Sequence, residues 1–554
     1  MFQETSSESK FRKKSANEAI RLIDLQIANL HESIRILNSQ RNGHLPISKL
    51  PVEILTKIFL LHQHNVTLQT LRLDWVGITH VSQRWREIAL NFSGLWIRIP
   101  FHQPKWAKEM IARSQHACPI VNVYIPSLCP SEARLLKSFL QQHLSRVQVL
   151  EIWDTNPHLL AKLFQDIQPT CVPCLSTLSL SMSVQWQEPG TELDSLQIVN
   201  SRLLNTNSLR KLNISTTPRW DLNLFSGLTH LKLRAGHNMP RTQTSQHEFL
   251  DALRRMPNLQ SLHLDGPALP EAVDKSSLEP VHLPDLRDLT VRDTVPTIEF
   301  FLHHVTLPPT TRTAIGCRHR DPVLQLANIS PIISLLKRLL SERPRGLKLH
   351  HIELSLEETA DWELKFEGWV SAGCSPLKGY DPNSAADFTF FVEWDSDQAD
   401  TLSPIDELSV GMFGIFPPDD VVSLLLSSYD DTCFRHFARK IGRLPALHTL
   451  SLSYISSAPF LQELDCDAPQ ERDDQSIPTY PALRVLDFSD HEIQIDVPGL
   501  TTLYNCLKKR SEVGLGPEKL KIDLCVLRKV DKKTTALLEK VVEVESEVND
   551  CQNS

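Results

Sequence analysis

Hydrophobic positions along the chain change their period three times, and each change predicts a different kind of element. The first series is Ile20, Ile23, Ile27, Leu30, Ile34 and Leu37, spaced by three and four residues without a break. That is the a/d seam of a heptad helix. Two and a half heptads are short for an independent coiled coil, so the seam reads as weak self-association or as a helix packed back on the downstream helices or the first repeats. Asn42-Gly43 then signals a turn. A second helix is predicted from Leu50-Pro51, because proline at a first helical position has its φ preset and gives up no useful donor. Ile54, Leu55, Ile58, Phe59 and His62 fall at helical spacing on one face, and Val52, Leu60 and Leu61 widen it. A helix apolar on nearly two sides buries one in its own domain and offers the other to a partner. Val81, Trp85, Ile88 and Ala89 then recur at helical spacing before a turn at Gly94 and Trp96, completing a small three-helix unit.

After Trp96 the period changes to that of short strands. MPNLQSLHL from Met256, LPDLRDLTV from Leu283, LPALHTLSL from Leu444 and YPALRVLDF from Tyr480 share the order apolar-Pro-x-Leu-x-x-Leu-x-apolar. VPCLSTLSL from Val172 is a fifth copy, and VQVLEI, LRKLNI, LTHLKL and LHHIEL lack the proline. The last two apolar residues of each are two apart and so share one side of a strand. Helical stretches lie between them: EARLLKSFLQQHL, HLLAKLFQDI, HEFLDALRRM, ISPIISLLKRLL, VVSLLLSSYDDTCFRHFARKI and LTTLYNCLKK. The central leucines step from Leu150 through Leu178, Leu212, Leu231 and Leu262 to Leu289, with Ile352, Leu408, Leu450 and Leu486 beyond. One helix and one short strand roughly every thirty residues is the signature of a leucine-rich-repeat-like solenoid. A doubly wound α/β domain would need longer apolar strands and a Gly-rich first turn. WELKF from Trp362 and FTFFVEW from Phe388 instead alternate apolar and polar residues, which predicts two paired strands inserted in the array.

PISKLPVEILTKIF, VSQRWREIA and SGLW, in this order after a heptad helix, resemble an F-box, and more narrowly the F-box-like proteins of mushroom-type fungi. The connector LQTLRLDW departs from the pattern in a variable place. The resemblance covers about 90 residues. It implies docking on the Skp-type adaptor of a cullin-RING ubiquitin ligase through Leu50, Pro51, Ile54, Leu55, Ile58, Phe59, Val81 and Trp85. The plainer reading is that all eight fill the core of a small helical domain.

The expected fold class is therefore α/β. It comprises a disordered tail (1–15), a heptad helix (16–41), an all-α F-box domain (44–97), an irregular leucine-rich-repeat-like solenoid (105–530) with a β insertion near 360–396, and a C-terminal helix and tail (531–554). The tail's Arg12, Lys13 and Lys14 read as a nuclear import signal or as solvated charge.

Composition narrows the function. With 554 residues, 58 basic and 66 acidic, the net charge of −8 speaks against a nucleic-acid footprint, which needs a basic face. Thirty-six prolines against eighteen glycines favour short, rigid boundaries. No apolar run approaches the length that spans a bilayer, and the polar N-terminus has no signal-peptide core, so a cytoplasmic or nuclear protein without a membrane role is expected. The eleven cysteines follow no framework spacing, which suits reduced thiols.

Candidate chemistry is sparse. Cys171-x-x-Cys174 has no second pair to complete a zinc site, and Cys174 falls in a variable repeat slot. The His-His pairs at 303 and 350 read as ordinary histidines, and the acidic DCDAPQERDDQS from Asp465 as a solvated loop or a contact for a basic partner. Nucleophile-elbow, phosphate-loop, dinucleotide and zinc-protease motifs are missing, so neither an enzyme nor a metal or cofactor is expected. The expected function is a substrate-recognition subunit that binds its target through outward strand positions, namely Ser261, His263, Asp288, Thr290, Thr449, Ser451, Val485 and Asp487. The alternatives are a non-ligase interaction scaffold with an F-box-like fold and an enzyme of unrecognised type.

Overall fold

In a computed structural model of the protein, the heptad segment forms a single helix, α1 (Ala16–Gly43). The structure describes residues 16–69, 73–124, 128–155, 162–164, 172–182, 208–215, 227–234, 244–266, 268–271, 278–318, 326–341, 348–358, 362–370, 386–394, 402–415, 418–428, 435–453, 458–465, 479–488, 497–523 and 532–547. The predicted tail at 1–15, Cys171, most of HLLAKLFQDI and the acidic loop beyond Asp465 lie outside these residues. The chain divides into two compact units, 1–152 with 166–175, and 153–165 with 176–554.

In the first unit α1 is followed by a 3-10 turn at Pro46–Lys49, α2 (Val52–Gln69), a 3-10 segment at Asp74–His80, α3 (Gln83–Asn91) and a 3-10 turn at Ser93–Trp96. α4 (Pro104–Ser114), β1 (Ile120–Tyr124), α5 (Pro130–His143) and β2 (Val149–Thr155) complete the series. Pro51 directly precedes α2, and its carbonyl accepts the first helical bonds from the N–H groups of Ile54 and Leu55 at 3.1 Å. Ser82 caps α3 by accepting the Trp85 N–H at 3.2 Å. Leu55, Phe59, Trp75, Val76, Ile78, Ala89, Leu95 and Trp96 form the core. Phe59 meets Trp85 with ring centroids 5.0 Å apart, Trp75 meets Trp96 at 5.3 Å, and the Trp96 indole N–H donates to the Ala89 carbonyl at 2.8 Å. The connector that looked variable in sequence thus ends on one of these core side chains, Trp75, and the 3-10 segment that begins there adds Val76 and Ile78.

The second unit is mixed α/β with a large, mostly parallel sheet. Its strands are β3 (Thr177–Met182), β4 (Lys211–Ser215), β5 (His230–Arg234), β6 (Ser261–Asp265), β8 (Asp288–Asp293), β10 (Arg312–Arg318), β11 (His351–Glu358), β12 (Trp362–Trp369), β13 (Phe388–Trp394), β14 (Ser423–Ser428), β15 (Thr449–Ser453), β16 (Val485–Phe488), β17 (Lys519–Asp523) and β18 (Glu543–Glu547). β7 (Val281–His282) and β9 (Val305–Thr306) form a separate two-stranded ladder. The strands follow one another across the sheet in chain order, except that β13, β12 and β11 run in reverse. That exception is an antiparallel meander, with Trp362 opposite Trp394 and His351 opposite Trp369. A doubly wound sheet would instead reverse direction at a switch point.

The recurring apolar-Pro-x-Leu stretch has a local cause. The N–H groups of Leu175, Leu259, Leu286 and Leu483 return to the carbonyls of Val172, Met256, Leu283 and Tyr480 at 3.1 to 3.4 Å, closing four-residue turns with proline in the second place. Proline's fixed φ suits that position. The next leucines stand in register across the sheet as Leu178, Leu212, Leu231, Leu262 and Leu289, each at most 2% exposed. Each contributes roughly 1.5 to 3 kcal/mol by leaving water. Between the strands lie α6 (Gln246–Arg254), α7 (Val295–His304), α8 (Leu326–Ser341), α9 (Leu402–Phe413), α10 (Arg435–Ile441), α11 (Ala458–Leu464), α12 (Val497–Glu512) and α13 (Lys532–Leu538), and from α7 to α13 successive helices pack on one another.

Three expectations need correction. VVSLLLSS is not helical: Ser423–Ser428 is β14, and among the described residues of that stretch only Arg435–Ile441 is a helix. Its compact block of buried leucines fits a strand buried between neighbours better than an amphipathic helix. Leu408 is not a strand leucine but the buried centre of α9, and the strand leucine of that repeat is Leu424. The C-terminal helix stops at Leu538, after which Glu543–Glu547 pairs parallel with β17. The alternation EVESE has a period of two, and the register places Glu545 beside Lys521.

Candidate functional site

Each unit presents a surface, and the first is on α2. Its core stripe is Leu55, Phe59 and Gln63, all 3% exposed or less, with the Gln63 amide donating to the Leu95 carbonyl at 2.7 Å. One residue back on the helix, a turn of about 100°, Ile54 is 41% and Ile58 36% exposed, and Leu61, three residues beyond Ile58, is 64% exposed, so a second apolar stripe remains in solvent. The face drawn in sequence through Ile54, Leu55, Ile58, Phe59 and His62 is therefore two stripes with different environments. Of the eight predicted docking residues, Leu55 and Phe59 are core, Leu50 and Trp85 are half-buried, and Pro51, Ile54, Ile58 and Val81 are exposed. Val81 precedes the Ser82 cap, so it lies outside α3 rather than on its face. Arg84 reaches back from α3 to donate to the Leu50 carbonyl at 2.7 Å, tying the start of α2 to α3.

The second surface is the polar side of the sheet. The eight predicted target-binding residues fall into two blocks on adjacent strands. Ser261 and His263 stand beside Asp288 and Thr290, and Thr449 and Ser451 beside Val485 and Asp487. From β8 to β15 is six strand steps, about 29 Å at ~4.8 Å per step. No small molecule touches both blocks; an extended polypeptide can.

Between and around the first block lies an ionic network that the sequence reading missed. Asp265, 4% exposed, faces Arg234 Nε through Oδ2 at 3.2 Å and Arg318 Nη2 through Oδ1 at 3.0 Å. The second contact is electrostatic only, since Oδ1 lacks a well-angled donor. Arg318 Nε donates to Glu393 at 2.8 Å, and Arg292 stands 3.4 Å from Glu393 and 3.8 Å from Glu363. Burial raises the Glu363 pKa, opposed by Arg292 and reinforced by Glu393. Gly316 makes this arrangement possible. Its register neighbours are Arg292 and Phe391, whose guanidinium and ring meet 4.0 Å apart. A Cβ on Gly316 would come within 2.1 Å of that ring. The signal in sequence was the charge closing successive strands: Arg234, Asp265 and Arg292.

His263 lies beside Lys232 and Thr290 in the central row. Burial, and then the charge of Lys232, lower its pKa to about 4, so the ring is neutral near pH 7. Its Nε2 is buried without a partner, as is the Asn213 Oδ1 one strand beyond Lys232. Burial also lowers the Lys232 pKa, helped by Arg234. The row thus offers unfilled hydrogen-bonding atoms beside a half-buried cation. In the second block Ser451 Oγ is buried and unpartnered, and on the adjoining strand Ser423, the register neighbour of Thr449, shares a 2.5 Å hydrogen bond with His351 Nδ1.

Among the described residues the remaining candidates do not assemble into a metal centre. Burial, and then the neighbouring Cys174, raise the Cys118 pKa. Among the described residues no group of three or more His, Cys, Asp or Glu could hold a metal ion, and no helix is long and apolar enough to cross a membrane. No known family profile matches the chain, and no curated protein is significantly similar to it.

Proposed function

We propose that this protein is the substrate-recognition subunit of a Skp-cullin-F-box type ubiquitin ligase. The exposed stripe of α2 docks the Skp-type adaptor, and the polar sheet face, read as a leucine-rich-repeat-like array, holds the target protein. The observation that carries this is the split helix: Ile54 and Ile58 are exposed one residue away from the fully buried Leu55 and Phe59, and Leu61 continues the exposed stripe. A helix that only filled a core would turn polar residues to that side. The chain's role is then proximity. Holding a target lysine beside the conjugating enzyme replaces a bimolecular encounter with one at an effective concentration of roughly millimolar or more. On the sheet face, Lys232 with the unfilled atoms of Asn213 and His263 suits hydrogen-bonding and acidic groups of an extended target segment.

Co-purification of the full chain with the adaptor tests the proposal, using Ile54→Asp/Ile58→Asp to break docking at exposed positions. Stoichiometric binding lost in this variant supports it; a folded wild-type chain that does not bind refutes it. In that event the second reading applies, an interaction scaffold using the same sheet face without the ligase.

A further inference from the structure

Helix α1 carries its apolar seam entirely in solvent. None of its 28 residues is buried, and Ile20, Ile23, Ile27, Leu30, Ile34 and Leu37 are 43 to 63% exposed. The helix is about 42 Å long at ~1.5 Å per residue. Six aliphatic side chains in one continuous stripe are a self-complementary surface rather than scattered exposure.

The register identifies what covers it. Isoleucine occupies every a position (Ile20, Ile27, Ile34), and the d positions are Ile23, Leu30 and Leu37. β-branched residues at a with leucine at d favour two parallel strands. The flanks agree. In a parallel pair each g residue meets the e′ residue of the next heptad, so Gln26 faces His31 and Ser33 faces Asn38 of the other copy. No like charges oppose one another there, and no row of charge demands a different chain. Arg41 at the next a position ends the seam. We propose that α1 joins two copies of this chain in a parallel two-stranded coiled coil. Parallel pairing brings the two Gly43 ends together, and α2 begins nine residues later in each copy. The assembly would then carry two docking stripes and two sheet faces, so a target with two binding segments is held far more tightly than by one copy. The pairing itself does not rest on the ligase reading.

Leu25 and Ile36 lie off the seam, 59 and 46% exposed, so a larger bundle is the competing arrangement. Sedimentation equilibrium of the full chain separates them. A mass twice the 63.0 kDa of one chain is expected, together with a monomer for Ile27→Glu/Leu30→Glu across the same concentrations and with unchanged circular dichroism outside the helix contribution. These positions are exposed in the single chain, so the variant should fold. Ile23→Cys then reports direction: with oxidised glutathione as acceptor of the two electrons, a parallel pair gives a covalent dimer beyond the wild-type background. A monomeric wild-type chain, a tetramer, a dimer that survives the double variant, or a dimer without the Ile23→Cys cross-link would each overturn the proposal.

Discussion

Helices α1 and α2 are both rich in aliphatic residues, yet they spend them differently. α2 buries Leu55 and Phe59 completely and leaves Ile54 and Ile58 in solvent, whereas α1 buries nothing. The hydrophobic period alone does not separate the two cases, because it fixes which residues share a face and not what lies opposite that face. In α2, the buried stripe and the proposed docking stripe fall on adjacent residues and can be broken one at a time. In α1 there is no buried stripe to break.

The largest effect should come from α2's core stripe. Phe59→Ala removes a ring that is 0% exposed and packed on Trp85, and should cost about 3 to 5 kcal/mol in chemical denaturation of the first unit. Ile54→Ala on the same helix should cost less than about 0.5 kcal/mol while weakening any partner bound there. Equal losses would collapse the distinction between the stripes. The sheet face sharpens the contrast, since the ionic network beside its proposed target-binding positions ties the strands together. Asp265→Asn removes one of the two carboxylates facing Arg318 and the one facing the half-exposed Arg234, and should destabilise the second unit by about 1.5 to 3 kcal/mol.

His263 adds a pH signature. Its folded pKa of about 4 lies below the ordinary 6.5, so the unfolded chain takes up a proton first as pH falls. Stability is unaffected above about pH 6.5 and declines from there toward pH 4, by at most about 3 kcal/mol. Urea unfolding of wild type and His263→Gln at pH 7 and pH 5 checks this: only the wild type should carry this component of the loss. Gly316→Ala forces a methyl group into the Phe391 ring and should cost about 1 to 3 kcal/mol, read as a lowered thermal midpoint. The smallest effect on the stability of a single chain belongs to the α1 seam.

The sequence made some of this legible and not the rest, for physical reasons. The strand leucines were readable because a proline-containing turn fixes where each strand starts and a period of two fixes which residues point inward, as Leu262 and Leu264 do. β14 was misread because an unbroken block of leucines is compatible with either a helix or a buried strand. The EVESE strand was hidden behind good helix formers, whose propensity yielded to pairing with β17. The pairing of the proposed target-binding positions into two blocks was legible strand by strand, but the separation of the blocks was not, because it depends on a meander that inserts three antiparallel-linked strands between parallel neighbours. The Arg234–Asp265–Arg318–Glu393–Arg292 network depends on cross-strand register, which single-strand patterns do not contain.

The central claim is that α2 keeps a stripe for a partner beside the stripe that folds it. The most direct measurement is binding of the purified full chain to the Skp-type adaptor by calorimetry, comparing wild type with Ile54→Asp/Ile58→Asp, with circular dichroism on the same samples. The account predicts one adaptor per chain for wild type and none for a variant that keeps its helical signal. A wild-type chain that is folded and does not bind, or a folded variant that binds as tightly as wild type, would contradict it.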